Sequence, residues 1–114
     1  MNRLTAAILF AATVAIPSLA AADLTGQGGT VIELEVNHST ADTYLQYHGR
    51  VVISGEGRTS DYRWGGTSCS NKTLPEGQVT MLQRALESGT TVVPRYLWGQ
   101  GSNRCLVGFT LQAP

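Results

Sequence analysis

The chain has 114 residues, and its eight Lys and Arg residues are balanced by eight Asp and Glu residues, so its formal net charge is zero. A chain without excess positive charge lacks the electrostatic footprint of a nucleic-acid-binding protein and is not attracted to an anionic membrane surface. Only 14% of the residues are charged, against about 25% in a typical domain, and 13 glycines favour a turn-rich β structure.

Residues 1–22 have the pattern of a secretory signal peptide. Arg3 precedes an apolar run over residues 4–16, and small residues that suit cleavage follow. The run is shorter than the ~20 apolar residues that cross a bilayer as a helix. We therefore expect an exported protein, periplasmic or extracellular, that does not insert into a membrane after cleavage. The mature chain, residues 23–114, is predicted to form one small domain.

The first half of the mature chain predicts three strands. Residues 23–29 are polar and glycine-rich, so we expect a loose lead-in. Residues 30–36 alternate between apolar and acidic side chains, which is typical of a half-buried strand. Residues 43–47 suit either a strand or a short helix. The β-branched run at 50–54 and the segment 59–64 flank a glycine-rich turn, which predicts a β-hairpin.

A helix is predicted after this hairpin. Thr73 and Glu76 have the spacing of a capping box, in which each side chain bonds to the backbone at the other's position. Apolar side chains (Val79, Leu82 and Leu86, with Ala85 beside them) then recur every three or four positions, as on one face of a helix. Gly89 stands where helices commonly end.

Two further strands are predicted, over residues 90–98 and 104–112. Pro94 lacks the N–H group that a strand ladder requires, which indicates an edge strand or a bulge. The order is β-β-β-α-β-β, and the single helix must bury its apolar stripe on a sheet. These elements predict an α+β fold, a small two-layer sandwich with an antiparallel sheet of about five strands and one helix on one face.

Cys69 and Cys105 are the only cysteines. In an exported domain such a pair is expected to form an intrachain disulfide. Closing a loop of this length with a disulfide stabilises the fold by about 4 kcal/mol, because it lowers the entropy of the unfolded chain. A catalytic thiol and an intermolecular bridge are the alternatives.

Two segments resemble each other, because residues 62–69 and 96–105 both begin Tyr-x-Trp-Gly and continue through small residues to a cysteine. The disulfide would bring these strand ends together, so their aromatic rings are expected to converge. Trp, Tyr and Arg most often carry binding energy at interfaces. The predicted contact residues are Tyr62, Arg63, Trp64, Arg95, Tyr96 and Trp98, with Arg104 as a further polar contact. Alternatively, these rings fill the core of a small domain.

Other candidate chemistry is sparse. His38 and His48 lack the close spacing of metal ligands, and we predict neither a metal site nor a cofactor. Ser54, His48 and Asp61 contain the residue types of a hydrolytic triad, but no nucleophile-elbow motif accompanies them. Glu56 and Asp61 flank the predicted hairpin turn, where solvated carboxylates are expected.

The sequence favours a non-enzymatic binding protein that recognises another protein, as an inhibitor or an immunity protein does. One alternative is a small secreted hydrolase or toxin that uses His38 and His48 with carboxylates. A second is a carbohydrate- or envelope-binding module that uses the same aromatic residues.

Overall fold

The structure, a computed structural model, describes residues 22–113. The predicted signal peptide lies outside this range except for Ala22. Within the range, no helix is both long enough and apolar enough to cross a membrane. The elements in chain order are β1 (Leu24–Thr25), β2 (Gly29–Val36), a 3₁₀ helix (Asp42–Leu45), β3 (Gly49–Gly55), β4 (Arg58–Trp64), α1 (Glu76–Ser88), β5 (Thr91–Trp98) and β6 (Arg104–Gln112).

The five long strands form one closed, barrel-like sheet. Strands β2, β3 and β4 pair antiparallel in sequence order, β4 meets β6 in a short parallel contact, and β6 pairs antiparallel with β5. Strand β5 closes the ring by pairing with β2. The predicted α+β composition and the β-β-β-α-β-β order of the long strands are confirmed, whereas the sequence pattern does not predict closure of the sheet.

The strand order is a Greek key, because β5, the fourth long strand, returns to lie beside β2, the first. A five-stranded Greek-key barrel is also the architecture of OB-folds. This likeness concerns topology, and one architecture hosts many unrelated functions.

The lead-in segment is more ordered than expected. Leu24 and Thr25 pair antiparallel with Tyr96 and Arg95, and the Gly26 N–H donates to the Pro94 carbonyl over 2.8 Å. The reason is that β2 covers only the first part of β5 and leaves the backbone groups of its second part available to β1. The ambiguous residues 43–47 belong largely to the 3₁₀ helix.

Strand β5 has neighbours on both sides, so the edge-strand interpretation of Pro94 is corrected. The bulge interpretation is confirmed, since the register between β5 and β6 shifts at Arg95 and Tyr96. The Pro94 side chain lies in the interior.

The helix begins later than the capping box predicts. Pro75 is the N-cap residue, no side chain caps the helix, and Thr73 lies outside it. The Pro75 carbonyl accepts hydrogen bonds from the N–H groups of Gln78 and Val79, so the backbone alone opens the first turn. The predicted end is confirmed, because Gly89 has the left-handed conformation and its N–H donates to the Ala85 carbonyl.

The buried face of α1 packs against the inside of the sheet through Leu82 and Ala85. Leu86, predicted to share this face, is 38% exposed. The remaining buried core residues come from the strands: Val31, Val51, Ile53, Tyr62, Trp64, Val92 and Leu106.

The predicted disulfide between Cys69 and Cys105 is confirmed. It spans 36 positions and joins the loop after β4 to the first residues of β6. Both cysteines are fully buried, and the chain contains no free cysteine, so the catalytic-thiol and intermolecular alternatives are excluded.

Candidate functional site

Tyr62 and Trp64 belong to the core, with 1% and 2% of their surface exposed. Alternate residues of a strand share a face, and the face of β4 that carries both rings is the inner face of the barrel. Their burial corrects the expectation that both rings meet a partner. It supports the alternative that large aromatic side chains fill the core of this small domain.

Three of the four aromatic rings nevertheless converge. The ring centroids of Tyr62 and Tyr96 are 5.6 Å apart, and those of Tyr96 and Trp98 are 5.4 Å apart in an edge-to-face arrangement. The chain of rings runs outward from the core, because Tyr96 is half-buried and Trp98 is 52% exposed. Trp64 packs elsewhere, beside the first turns of α1.

Arg104 lies among these three rings. Its guanidinium carbon is 5.5 Å from the Trp98 ring centroid, 5.9 Å from that of Tyr96 and 6.0 Å from that of Tyr62. These are cation–π distances. We call Tyr62, Tyr96, Trp98 and Arg104 the aromatic–arginine cluster. Within residues 22–113, Arg104 forms no ion pair with a carboxylate.

The bulge between β5 and β6 places Arg104 in this cluster. It leaves Val107 as an extra residue of β6 with no counterpart on β5. Since side chains alternate along a strand, the extra residue moves Arg104 onto the face that carries Tyr96 and Trp98. Proximity in the folded sheet, rather than sequence spacing, makes Arg104 the central cation.

Burial raises the pKa of the Tyr62 hydroxyl above its ordinary value, although the positive charge of Arg104 acts in the opposite direction. The hydroxyl is therefore neutral at physiological pH. Gly26 passes so close to it that a β-carbon at position 26 would collide with the hydroxyl oxygen. The segment that begins with β1 thus covers the inner end of the cluster, and Leu24, 43% exposed, lies opposite Tyr96.

The other two predicted arginines lie apart from the cluster. Arg63 stacks on the Tyr47 ring at 4.4 Å from its centroid, and its Nε is 3.7 Å from a carboxylate oxygen of Asp61. Arg95 donates to the hydroxyl of Thr110 over 3.1 Å. The predicted contact residues therefore divide between the core, the cluster and two separate surface positions.

A second group of charges crosses β2 and β3 on the outside of the barrel. Arg50 donates to Glu33 over 2.7 Å and to Glu35 over 2.9 Å, and the Tyr47 hydroxyl donates to Glu35 over 3.2 Å. Burial acts to raise the pKa of Glu35, but the bonds from Arg50 and Tyr47 together hold it below its ordinary value. These side chains form ion pairs and hydrogen bonds with one another, which is typical of a network that stabilises the fold.

The two histidines occupy different environments. His38 is exposed in the turn after β2, where its Nδ1 lies 2.9 Å from the Thr40 hydroxyl oxygen. His48 stacks on Tyr44 and lines a cleft beside α1. Glu56 lies in the turn between β3 and β4, away from the cleft lining. Across residues 22–113, no three His, Cys, Asp or Glu side chains are grouped as metal ligands.

No protein-family model, curated protein or solved structure matches this chain. Function is therefore inferred from the chain's own residues.

Proposed function

We propose that this chain is an exported, non-enzymatic binding protein that recognises another protein through the outer part of the aromatic–arginine cluster. The contact residues are Tyr96, Trp98 and Arg104, with Leu24 at their border. The position of Arg104 is the observation that most strongly supports this proposal. A guanidinium without a carboxylate partner in the described part of the chain is held beside a half-exposed tryptophan.

The residue types suit a protein partner. Trp, Tyr and Arg dominate the binding energy of protein interfaces, where each fills a pocket or pairs with a charge. Trp98 and Tyr96 hold each other edge to face, so little side-chain freedom is lost when a partner covers them. Arg104 supplies a fixed positive charge. The partner is therefore expected to present a carboxylate next to an apolar side chain.

Export is part of this proposal. The signal-peptide pattern of residues 1–22 directs the chain to the periplasm or outside the cell. A structural disulfide persists in such oxidising compartments and is rare in the cytosol of most organisms.

The test is affinity capture with the purified oxidised protein against periplasmic and secreted extracts of the source organism. The variants Trp98→Ala and Arg104→Gln are compared with Leu45→Ala and Arg84→Ala. The control residues are an exposed leucine in the 3₁₀ helix and an exposed arginine on α1. Urea unfolding first establishes that all four variants fold.

The expected result is one protein that wild type and both controls retain. Its affinity falls by about tenfold or more for each cluster variant, the size of effect that interface anchors show. Equal retention by Trp98→Ala would overturn the proposed surface. If extracts from both compartments yield no retained protein, the protein-binding proposal is overturned.

A further inference from the structure

A cleft of about 630 Å³ lies between the end of β2, the 3₁₀ helix, the end of β4 and the first turns of α1. Small-molecule sites commonly have volumes of about 300–1,000 Å³. None of the four residues of the aromatic–arginine cluster lines this cleft, so it is a separate place on the molecule. Its lining includes Asn37, Tyr44, His48, Trp64, Glu76 and Gln83.

The imidazole of His48 is held between two neighbours, Tyr44 and Gly65. The Tyr44 ring stacks on one face, with the centroids 4.0 Å apart and the planes 9° from parallel. Gly65 also lies against the imidazole, because a β-carbon at position 65 would collide with the His48 Cγ and Nδ1 atoms. The Gly65 φ of +77° also favours glycine there. These two contacts hold the imidazole in one orientation at the cleft wall, and such preorganised polar groups lose little entropy on binding.

The charges of the lining exclude anionic ligands. None of the ten lining residues is Lys or Arg, and Glu76 is the single carboxylate among them. A phosphate or carboxylate ligand would be desolvated without a positive partner. The amides of Asn37 and Gln83 and the hydroxyl of Thr80 are neutral groups that both donate and accept hydrogen bonds. A ligand that matches them carries both kinds of group and no negative charge.

We propose that this cleft binds a small neutral polyhydroxylated ligand, a monosaccharide or disaccharide. Hydroxyl groups donate to Glu76 and exchange hydrogen bonds with Asn37, Gln83 and the His48 ring. The apolar part of the lining, which includes Val36, Leu74 and Val79, receives the C–H groups of the sugar. This site goes beyond the proposed protein-binding function and uses different residues.

The two tryptophans allow ligand binding at the cleft to be measured separately from binding at the aromatic–arginine cluster. Trp64 lines the cleft and Trp98 belongs to the cluster, and the chain has no other tryptophan. In a Trp98→Phe background, Trp64 is the only tryptophan, so the indole fluorescence comes from a ring beside the cleft and not from the cluster. This protein is titrated with glucose, galactose, N-acetylglucosamine, maltose and cellobiose. Glucose 6-phosphate serves as the anionic control, and amide chemical shifts provide a second readout.

At least one neutral sugar is expected to give a saturable change in Trp64 fluorescence, together with shifts of cleft amides. Gly65→Ala is expected to displace His48 and weaken binding by about tenfold or more. Gly101→Ala is the matched control, because Gly101 also has a positive φ, +67°, but a β-carbon at position 101 would meet no heavy atom within 4 Å. Gln83→Ala, a substitution at an exposed helix position, tests the cleft even if Gly65→Ala fails to fold.

Three outcomes would overturn the proposal: no neutral sugar of this panel saturates the signal, glucose 6-phosphate binds more tightly than glucose, or Gln83→Ala and a folded Gly65→Ala variant bind like wild type. None of these bears on capture of a protein partner, which depends on Trp98 and Arg104. Failure of the cleft proposal is thus distinguishable from failure of the protein-binding proposal.

Discussion

Trp98 and Arg104 are directly opposite each other in the antiparallel β5–β6 pair, with the guanidinium carbon 5.5 Å from the indole centroid. They flank the turn that connects the two strands, so the same pair that forms the proposed contact surface also holds the end of this hairpin together. Directly opposed side chains are the unit of stabilisation in antiparallel sheets.

The Trp98–Arg104 contact is expected to appear as a coupling free energy. In a double-mutant cycle of Trp98→Ala and Arg104→Gln, the coupling should be about 0.5–1 kcal/mol, typical of an exposed cation–π pair. Urea unfolding of the two single variants, the double variant and wild type measures it. Trp98→Ala combined with Arg84→Ala is the control and should be additive. Additivity of the Trp98 and Arg104 substitutions would show that the contact contributes nothing to stability.

The two tryptophans are expected to differ sharply in their effect on stability. Trp64→Ala should lower the free energy of unfolding by about 3–5 kcal/mol, because it leaves a large cavity in the core. Trp98→Ala should cost about 1 kcal/mol or less, since half of that side chain is already exposed. Chemical denaturation at one temperature compares the two variants. Similar losses for both would contradict the assignment of one ring to the core and the other to the surface.

Glu35 should make stability depend on acidity in a defined direction. Its folded-state pKa lies below the unfolded value, so its stabilising contribution is present above the unfolded pKa and is lost as the pH falls through the folded pKa. Glu35→Gln should therefore be less stable than wild type near neutral pH, and the difference should shrink below about pH 4.

The measurement is urea unfolding of both proteins at several pH values between neutral and acidic. Glu87→Gln, a change at an exposed helix position, is the control. A difference between wild type and Glu35→Gln that stays constant over this range would show that the hydrogen bonds of Glu35 do not depend on its charge.

Loss of the disulfide should destabilise the domain strongly. Cys69→Ala with Cys105→Ala is expected to lower the free energy of unfolding by about 2–5 kcal/mol, because the unfolded chain regains the freedom of a long loop. Both sulfurs are inaccessible in the folded protein, so mild reductant should act only after unfolding. Calorimetry with and without reductant checks both statements. An unchanged melting temperature for the double variant would mean that the disulfide adds no net constraint to the unfolded chain.

Local patterns in the sequence were enough to predict the order of the long strands, the end of the helix at Gly89 and the disulfide. These features depend on local alternation, on one glycine that tolerates a left-handed backbone, and on the presence of only two cysteines. Alternation also indicated that Tyr62 and Trp64 share one face of their strand. It carried no information about whether that face points into the barrel.

Which rings are buried, and which cation lies among the exposed ones, depends on contacts between strands that are distant in the sequence. Burial of Tyr62 and Trp64 follows from closure of the sheet, in which β5 returns to β2 and β6 meets β4. The position of Arg104 follows from a single extra residue in β6, and such a register shift arises from packing between strands. The orientation of His48 likewise needs Gly65, 17 positions away along the chain, to lie against the ring. Contacts between distant segments leave no local period in the sequence, which is why these features emerge only when the chain is folded.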